Sequence, residues 1–203
     1  MNDLHIKMPK VIVKIARNSQ GIMCDTKQNP IVITHSQTKE WVYQLRSEVD
    51  AVLVSTGTVR RDRPHLGLRS VAFAGIKEPL RVAFGRELEF DSENPFFREP
   101  QDSYYVYQEE SSSFDEAWKR CLKVLARRGI KKILVEAGPE FAQKIFLSAY
   151  WDVCYDCIAL DSQFESGKKS DFSFSGKLES FEKIEWNGQR DFIFKYLKEN
   201  KNG

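Results

Sequence analysis

The sequence has little of what marks several large classes of protein. Its 203 residues include 4 cysteines, 7 prolines and no apolar run longer than a strand. So few cysteines exclude a disulfide-rich scaffold, and so few prolines and glycines exclude a collagen-like or low-complexity chain. No basic start, apolar run and small-residue cleavage site follow one another near the N-terminus. We therefore expect a cytoplasmic, globular protein that does not enter a membrane.

The chain also lacks a large excess of charge of either sign. The chain carries 31 Lys and Arg against 29 Asp and Glu, a net charge of +2. Domains that bind nucleic acid usually carry a concentrated basic excess, so no nucleic-acid partner is expected. A phosphorylated small molecule is compatible with this balance, because it needs only a few well-placed cations.

Common motifs for catalysis and metal binding are missing as well. The chain has no G-x-G-x-x-G, P-loop, H-E-x-x-H or G-x-S-x-G pattern, and His5, His35 and His65 lack the spacing of metal ligands. Cys154 and Cys157 lack the preceding proline and the distant H-x-E of a zinc deaminase. Residues three apart in a strand face opposite sides of the sheet. We interpret the two cysteines as ordinary strand residues and predict no metal.

The chain alternates strands and helices in its first three quarters and has only strands afterwards. The apolar patterns predict strands at 10–16, 50–55, 80–84, 104–107, 133–136, 153–160, 181–186 and 192–197. Capping boxes at Thr34/Gln37 and Ser113/Glu116 predict two helices, and Gly138-Pro139 predicts a third. Residues 18–30 and 56–64 are interpreted as loops. This order predicts one three-layer αβα domain over residues 1–203, with a mostly parallel sheet and antiparallel C-terminal strands.

Two polar segments are candidates for a site. The loop after the second predicted strand carries Thr58, Asp62, Pro64 and Arg69, and ligands of open α/β sheets bind beyond the carboxyl ends of strands. A solvated, charged loop is the alternative interpretation.

The second segment is residues 136–139, where a glutamate ends a strand and a helix begins at once. Free N–H groups at such a helix start can bind phosphate, and a glycine there lets the backbone approach a ligand. A plain turn between strand and helix remains the alternative.

Together with the first strand, these segments resemble the reductase domain of the riboflavin-biosynthesis deaminase–reductases, a dihydrofolate-reductase-like family. The matching residues are Lys14–Ala16, Ile33–Thr34, Leu45–Arg46, Asp50–Val54, Gly57–Val59, Asp62–Pro64, Leu66, Arg69, Leu80–Val82 and Leu134–Pro139. The spacing matches without gaps from Lys14 to Arg69, and the resemblance covers most of residues 10–160.

The resemblance implies an enzyme that uses NADPH to reduce 5-amino-6-(5-phosphoribosylamino)uracil to its ribitylamino product. Hydride would be transferred to C1′ of the ribose. The family also implies a homodimer formed through the sheet region. Because the deaminase motifs are absent, a separate deaminase is expected to supply the substrate.

The resemblance also implies roles for particular residues. Cofactor contacts fall on Ala16, Thr58, Asp62, Gly138, Pro139, Glu140, Phe141 and Ala142. Substrate contacts fall on Arg46, Leu66, Arg69 and Glu136, and the two arginines suit a 5′-phosphate. Opening the ribose to an imine-like carbon needs a proton donor, which Lys14, Asp62 or Glu136 could supply.

One further residue is a candidate for distinguishing NADPH from NADH. Arg86 follows the strand at 80–84, and its planar guanidinium suits the 2′-phosphate of NADPH. The alternative is a solvated arginine paired with Glu87 or Glu89.

The chain departs from the family pattern at three places. Gln20 lies in Asn18–Gly21, where the family has Ser-x-Asp-Gly, and Pro30–Val32 replaces Ser-x-Trp. Leu160–Ser162 replaces Pro-x-Leu-Leu-Gly. These departures leave two alternatives. One is a divergent paralogue that acts on another phosphorylated or pterin-like substrate, and the other is a non-catalytic nucleotide-binding module.

Overall fold

Ten strands and four α-helices form within the residues that the computed structural model describes, which are 6–25, 32–87, 89, 91–98, 102–162, 164, 166–169 and 175–199. The strands are β1 (Lys10–Asn18), β2 (Ile22–Cys24), β3 (Ala51–Ser55), β4 (Leu80–Gly85), β5 (Ser103–Tyr107), β6 (Lys132–Glu136), β7 (Val153–Ala159), β8 (Lys168–Lys169), β9 (Gly176–Trp186) and β10 (Gln189–Lys198). The helices are α1 (Ser36–Ser47), α2 (Thr56–Asp62), α3 (Phe114–Arg127) and α4 (Pro139–Leu147). Each main strand of the sequence-based prediction is therefore present.

Eight of the strands form one sheet in the order β5-β4-β3-β6-β1-β7-β10-β9. The first six are parallel, and β10 pairs antiparallel with both β7 and β9. This confirms the predicted mostly parallel sheet with antiparallel C-terminal strands. Since β1 and β6 are neighbours, Lys14 in the middle of β1 pairs in register with Glu136, the last residue of β6.

The sheet separates two apolar layers because side chains alternate along each strand. Val11, Val13 and Ile15 of β1 face a layer built with α3 and α4, where Trp118 is fully buried. Ile12 faces the opposite layer, built with α1 and α2. The sheet is thus packed on both faces, which fixes the position of residues at the carboxyl ends of its strands.

Local capping signals explain two of the helix starts. The hydroxyl of Ser113 accepts the backbone N–H of Glu116, whose carboxylate accepts the N–H of Ser113, which confirms the predicted capping box. Gly129 follows α3 with φ +82°, a conformation that favours glycine. Gly138 and Pro139 begin α4 as predicted.

The predicted capping box at Thr34 and Gln37 is wrong. The helix begins at Ser36, its N-cap is His35, and the His35 side chain makes no capping bond. The carboxylate of Asp191, on distant β10, holds this turn instead. A tertiary contact has replaced the local signal.

Both predicted loops contain regular structure. Thr56 opens α2, which is capped by the Ser55 hydroxyl accepting the Thr58 N–H at 3.1 Å. Within 18–30, β2 pairs antiparallel with β8, a partner that lies far along the chain. His5, Pro30 and part of the 18–30 segment lie outside the described residues.

Candidate active site

A cleft of about 950 Å³ opens at the carboxyl ends of the parallel strands. Strands β1, β3, β4 and β6, helix α1 and the starts of α2 and α4 all contribute to its lining. The structure brings these predicted site residues together around it: Lys14, Ala16, Arg46, Thr58, Asp62, Leu66, Arg69, Arg86, Glu136, Gly138, Pro139, Glu140 and Phe141. Ala142 is placed differently, because its side chain is buried in the core beneath α4.

Arg46 and Glu136 form a two-point ion pair in the cleft. Arg46 Nε donates to Glu136 Oε1 at 2.6 Å and Nη2 donates to Oε2 at 3.0 Å. Burial by itself would raise the pKa of Glu136, but the charge and hydrogen bonds of Arg46, aided by Lys14, outweigh it and lower that pKa. The carboxylate is therefore ionised at neutral pH.

Arg46 also braces the loop that follows α2. Its Nη1 donates to the Gly67 carbonyl at 3.0 Å, and the next residue, Leu68, donates its N–H to Glu78 at 2.9 and 3.1 Å. Leu66 is buried with φ +55°, so this loop has a fixed and unusual backbone. Arg69 lines the cleft from the same loop, is exposed, and forms no ion pair with any residue that the structure describes.

Asp62 ends α2 on another side of the cleft. Desolvation raises the pKa of Asp62, and Arg61 opposes this shift only in part. The pKa of the Asp62 carboxyl is thus shifted upward and that of the Glu136 carboxyl downward.

Two helices begin in the cleft, and only one of them has a side chain that caps the N–H groups of its first turn. Ser55 caps α2, while α4 begins at Gly138 without a side-chain cap. A Cβ placed on Gly138 would have no described heavy atom within 4 Å. The start of α4 therefore offers backbone N–H groups to an anion at close range.

The end of β4 presents Arg86 to the cleft. Gly85 has φ +154°, and a Cβ there would lie 2.3 Å from Thr56 Oγ1. The Tyr105 hydroxyl donates to the Arg86 carbonyl at 2.8 Å, which holds the backbone. Glu87 pairs with Arg60 at 2.9 Å, so the described contacts of Glu87 do not include Arg86.

Some lining residues were not singled out from the sequence. Lys39 and Tyr43 lie on α1 at helical spacing from Arg46, and this i, i+4, i+7 pattern is the signal that could have found them. Lys144 of α4 and Met23 of β2 also line the cleft. At the departures from the family pattern, Val32 lines the cleft and is 70% exposed, and Asn18 accepts the Gln20 and Ile22 N–H groups.

No helix of the described residues is long and apolar enough to cross a bilayer. Among the same residues, no group of three or more His, Cys, Asp or Glu side chains could hold a metal ion. Cys154 and Cys157 lie in β7 as predicted, both fully buried. Burial raises the pKa of the Cys157 thiol to about 12.

The parallel sheet with its antiparallel edge and the cleft at its carboxyl ends define a dihydrofolate-reductase-like α/β protein. The structure of Enterococcus faecalis dihydrofolate reductase complexed with NADP(H) superimposes with a TM-score of 0.60 over 94% of this chain and 97% of that chain, at 8% identity. The sequence model of the RibD C-terminal domain matches residues 9–151. This chain belongs to the RibD C-terminal domain family, and the predicted family is confirmed.

Two further relatives are similar to parts of longer proteins. The riboflavin biosynthesis protein RibD of Synechocystis is 36% identical over 85 residues, which are 42% of this chain and 22% of that protein. The structure of Acinetobacter baumannii RibD superimposes with a TM-score of 0.76 at 20% identity, over 94% of this chain and 58% of that chain. The chain therefore spans less than two thirds of either relative.

Proposed function

We propose that this chain is a reductase of riboflavin biosynthesis that uses NADPH to convert 5-amino-6-(5-phosphoribosylamino)uracil into its ribitylamino product. One observation carries the proposal: in a member of the RibD C-terminal domain family, one cleft joins an uncapped helix start to a buried Arg46–Glu136 pair and to Arg69, which forms no ion pair with any described residue. A single reductase domain over residues 1–203 is part of this proposal.

The cleft residues fit a reduced nicotinamide dinucleotide. The N–H groups at the start of α4 suit a pyrophosphate, and the open space at Gly138 lets the backbone approach it. Arg86 suits the 2′-phosphate that distinguishes NADPH from NADH. When bound, the cofactor supplies the hydride. The NADP(H) complex of the similar Enterococcus reductase supports this assignment.

The substrate half of the cleft lies near Arg46, Leu66 and Arg69. Arg69 has no described ion-pair partner and offers its full charge to the 5′-phosphate. Arg46 makes three hydrogen bonds to Glu136 and Gly67, and a guanidinium has five N–H donors. It can therefore hold the substrate while it braces the Leu66 loop.

Reduction at C1′ needs one proton. As the bond between C1′ and the ring oxygen O4′ breaks, O4′ takes a proton, the nitrogen on C1′ shares its electron pair, and hydride then adds to C1′. Glu136 is ionised and stabilises positive charge on that nitrogen and carbon. Asp62 lines the cleft and desolvation raises its pKa, so we assign Asp62 as the proton donor to O4′, with Lys14 as the other candidate.

Turnover of purified protein tests the proposal. The protein should oxidise NADPH only when the ribosylamino-pyrimidine phosphate is added, and mass spectrometry should show a product heavier by two hydrogens. Binding of NADPH without turnover would favour the nucleotide-binding module, and turnover of a pterin alone would favour the divergent paralogue.

A homodimer is the second part of the proposal. Phe181, Phe192 and Phe194 of β9 and β10 stack at centroid distances of 5.9 to 6.4 Å, and Phe181 is 64% exposed. This aromatic surface suits a second copy of the chain. Sedimentation should show a dimer that Phe181→Glu dissociates; a monomeric wild-type protein would contradict it.

The proposal also covers the source of the substrate and the cellular compartment. A separate deaminating enzyme or domain supplies the substrate. Cys24, Cys121, Cys154 and Cys157 are all free thiols, which supports a reducing compartment such as the cytoplasm.

A further inference from the structure

A buried carboxylate from the C-terminal strand pair holds the start of α1. The side chain of Asp191, on β10, is 1% exposed. Its Oδ2 accepts the His35 N–H at 2.9 Å and the Thr38 hydroxyl at 2.5 Å. Its Oδ1 lies 3.2 Å from Nδ1 of the buried His35 ring.

The turn held by Asp191 is continuous with one wall of the cleft. Val32, Ile33 and Thr34 come directly before His35 and line the cleft, and Lys39 on the first turn of α1 lines it too. The helix has no capping side chain of its own at His35. A carboxylate near a helix N-terminus both accepts hydrogen bonds and opposes the positive end of the helix dipole. Asp191 therefore fixes the start of α1 by accepting the N–H of the residue before the helix and a hydroxyl of its first turn.

We infer that Asp191 is a positioning residue of the cleft, which acts through His35 and Thr38 on the wall formed by residues 32–34 and α1. The inference rests on the proposed function, because it places the substrate against this wall. Asp191 itself lies outside the described lining of the cleft and outside residues 9–151, the part matched by the family model. The antiparallel strands at the sheet edge thus contribute to the site without touching the substrate.

Three variants test the inference. Asp191→Ala removes both hydrogen-bond acceptors, whereas Asp191→Asn keeps one oxygen that can accept from His35 and Thr38. Thr38→Val keeps the shape of a fully buried side chain and removes only its hydroxyl. Asp161→Asn is the matched control, since Asp161 lies beside the same strand pair and accepts hydrogen bonds from Arg190 rather than from α1.

We expect Asp191→Ala to raise the KM for the pyrimidine substrate about tenfold, since small displacements of binding groups are costly. The dissociation constant of NADPH should change less than about twofold. Thr38→Val should give an intermediate KM, Asp191→Asn should restore most of the wild-type value, and Asp161→Asn should match wild type. An unchanged KM in Asp191→Ala, or equal weakening of cofactor and substrate, would overturn the inference.

Hydrogen exchange provides a readout that does not depend on turnover. In Asp191→Ala the amides of residues 32–38 should exchange faster, while those of β3 keep their wild-type rates. Equal acceleration in β3 would show general destabilisation and overturn the inference, as would unchanged exchange at 32–38. If wild-type protein fails to turn over the pyrimidine, the proposed function fails, and the exchange comparison still decides whether Asp191 holds this wall.

Discussion

Arg46 and Glu136 meet through two parallel hydrogen bonds of 2.6 and 3.0 Å, although 90 residues separate them in the chain. Their side chains are only 12% and 18% exposed. Because both charges are largely withdrawn from water, each depends on the other for its stability in the fold. The pair is therefore a structural element of the cleft as well as a candidate substrate contact.

Loss of one partner should destabilise the protein. Arg46→Ala leaves the Glu136 carboxylate buried and unpaired, and we expect it to lower the free energy of unfolding by about 3–5 kcal/mol. Urea denaturation followed by circular dichroism measures this. Arg98→Ala, which removes an exposed arginine paired with Glu93, is the control and should change stability by about 0–1 kcal/mol. Equal effects of the two substitutions would contradict the structural role of the pair.

The same pair should make stability depend on acid pH. The pKa of Glu136 is lower in the folded chain than in the unfolded chain, so its contribution is present above the unfolded pKa of about 4.3 and is lost as pH falls further. Glu136→Gln should therefore reduce the decline of unfolding free energy between neutral and acid pH. Denaturation curves at several pH values for both proteins check this. Parallel declines in the two proteins would contradict it.

Arg69 should contribute to catalysis and little to stability. Arg69→Ala removes an exposed side chain without a described ion-pair partner, so unfolding should change by about 0.5 kcal/mol or less. Loss of the phosphate contact should lower kcat/KM for the pyrimidine by about 30- to 1000-fold. Steady-state kinetics and NADPH titration separate the two halves of the site. Normal kcat/KM in this variant would place the phosphate elsewhere.

Asp62 should determine the decrease of kcat at high pH. If Asp62 donates a proton, kcat should fall as pH rises through its raised pKa, because only the protonated form acts. Asp62→Asn should lower kcat and abolish this decrease. The pH profile of kcat under saturating substrate tests this. A falling limb that persists in Asp62→Asn would assign the proton to another group, with Lys14 the next to test.

Gly138 and Gly85 should respond to alanine in opposite ways. A Cβ on Gly138 meets no described atom within 4 Å, so Gly138→Ala should fold normally and raise the dissociation constant of NADPH by about tenfold, or 1.4 kcal/mol. Gly85→Ala should instead lower the melting temperature, because φ is +154° and the new atom would meet Thr56. Thermal melts and cofactor titrations of both variants make the comparison. Unweakened binding in Gly138→Ala would move the cofactor away from α4.

Arg86 should affect NADPH and not NADH. A charge-assisted contact of about 1.5–3 kcal/mol corresponds to a ~10- to 150-fold loss of NADPH affinity in Arg86→Ala. NADH affinity should stay near the wild-type value, since NADH lacks the 2′-phosphate. Fluorescence titrations with both cofactors measure the ratio. Equal weakening of both cofactors, or of neither, would remove Arg86 from this role.

Much of the fold could be predicted because its signals are local. The capping box of Ser113 and Glu116 and the Gly138-Pro139 start of α4 lie within a few residues of the helices that they begin. The start of α1 could not be predicted in this way, because it is held by Asp191, which is 156 residues from His35. Strand β2 likewise depends on pairing with β8.

The candidate site shows the same division. The family resemblance grouped Lys14, Asp62 and Glu136 as candidate proton donors, and the three residues line one cleft. Their electrostatics depend on contacts across the fold: Arg46 lowers the pKa of Glu136, while desolvation raises that of Asp62. No sequence pattern predicts that the pKa values of these two carboxyl groups shift in opposite directions.

The position of β1 in the middle of the sheet has a consequence for synthesis. Lys10 pairs with Lys132 and Ile12 with Val153, so β1 is synthesised well before either of its neighbours in the sheet. At translation rates of about 5–20 residues per second, an emerging chain keeps the apolar Val11–Ile15 segment unpaired for on the order of ten seconds. During that interval the segment lacks its two partner strands and can contact the ribosome, a chaperone or a neighbouring nascent chain. The yield of active protein should therefore depend on the speed of elongation through β6 and β7.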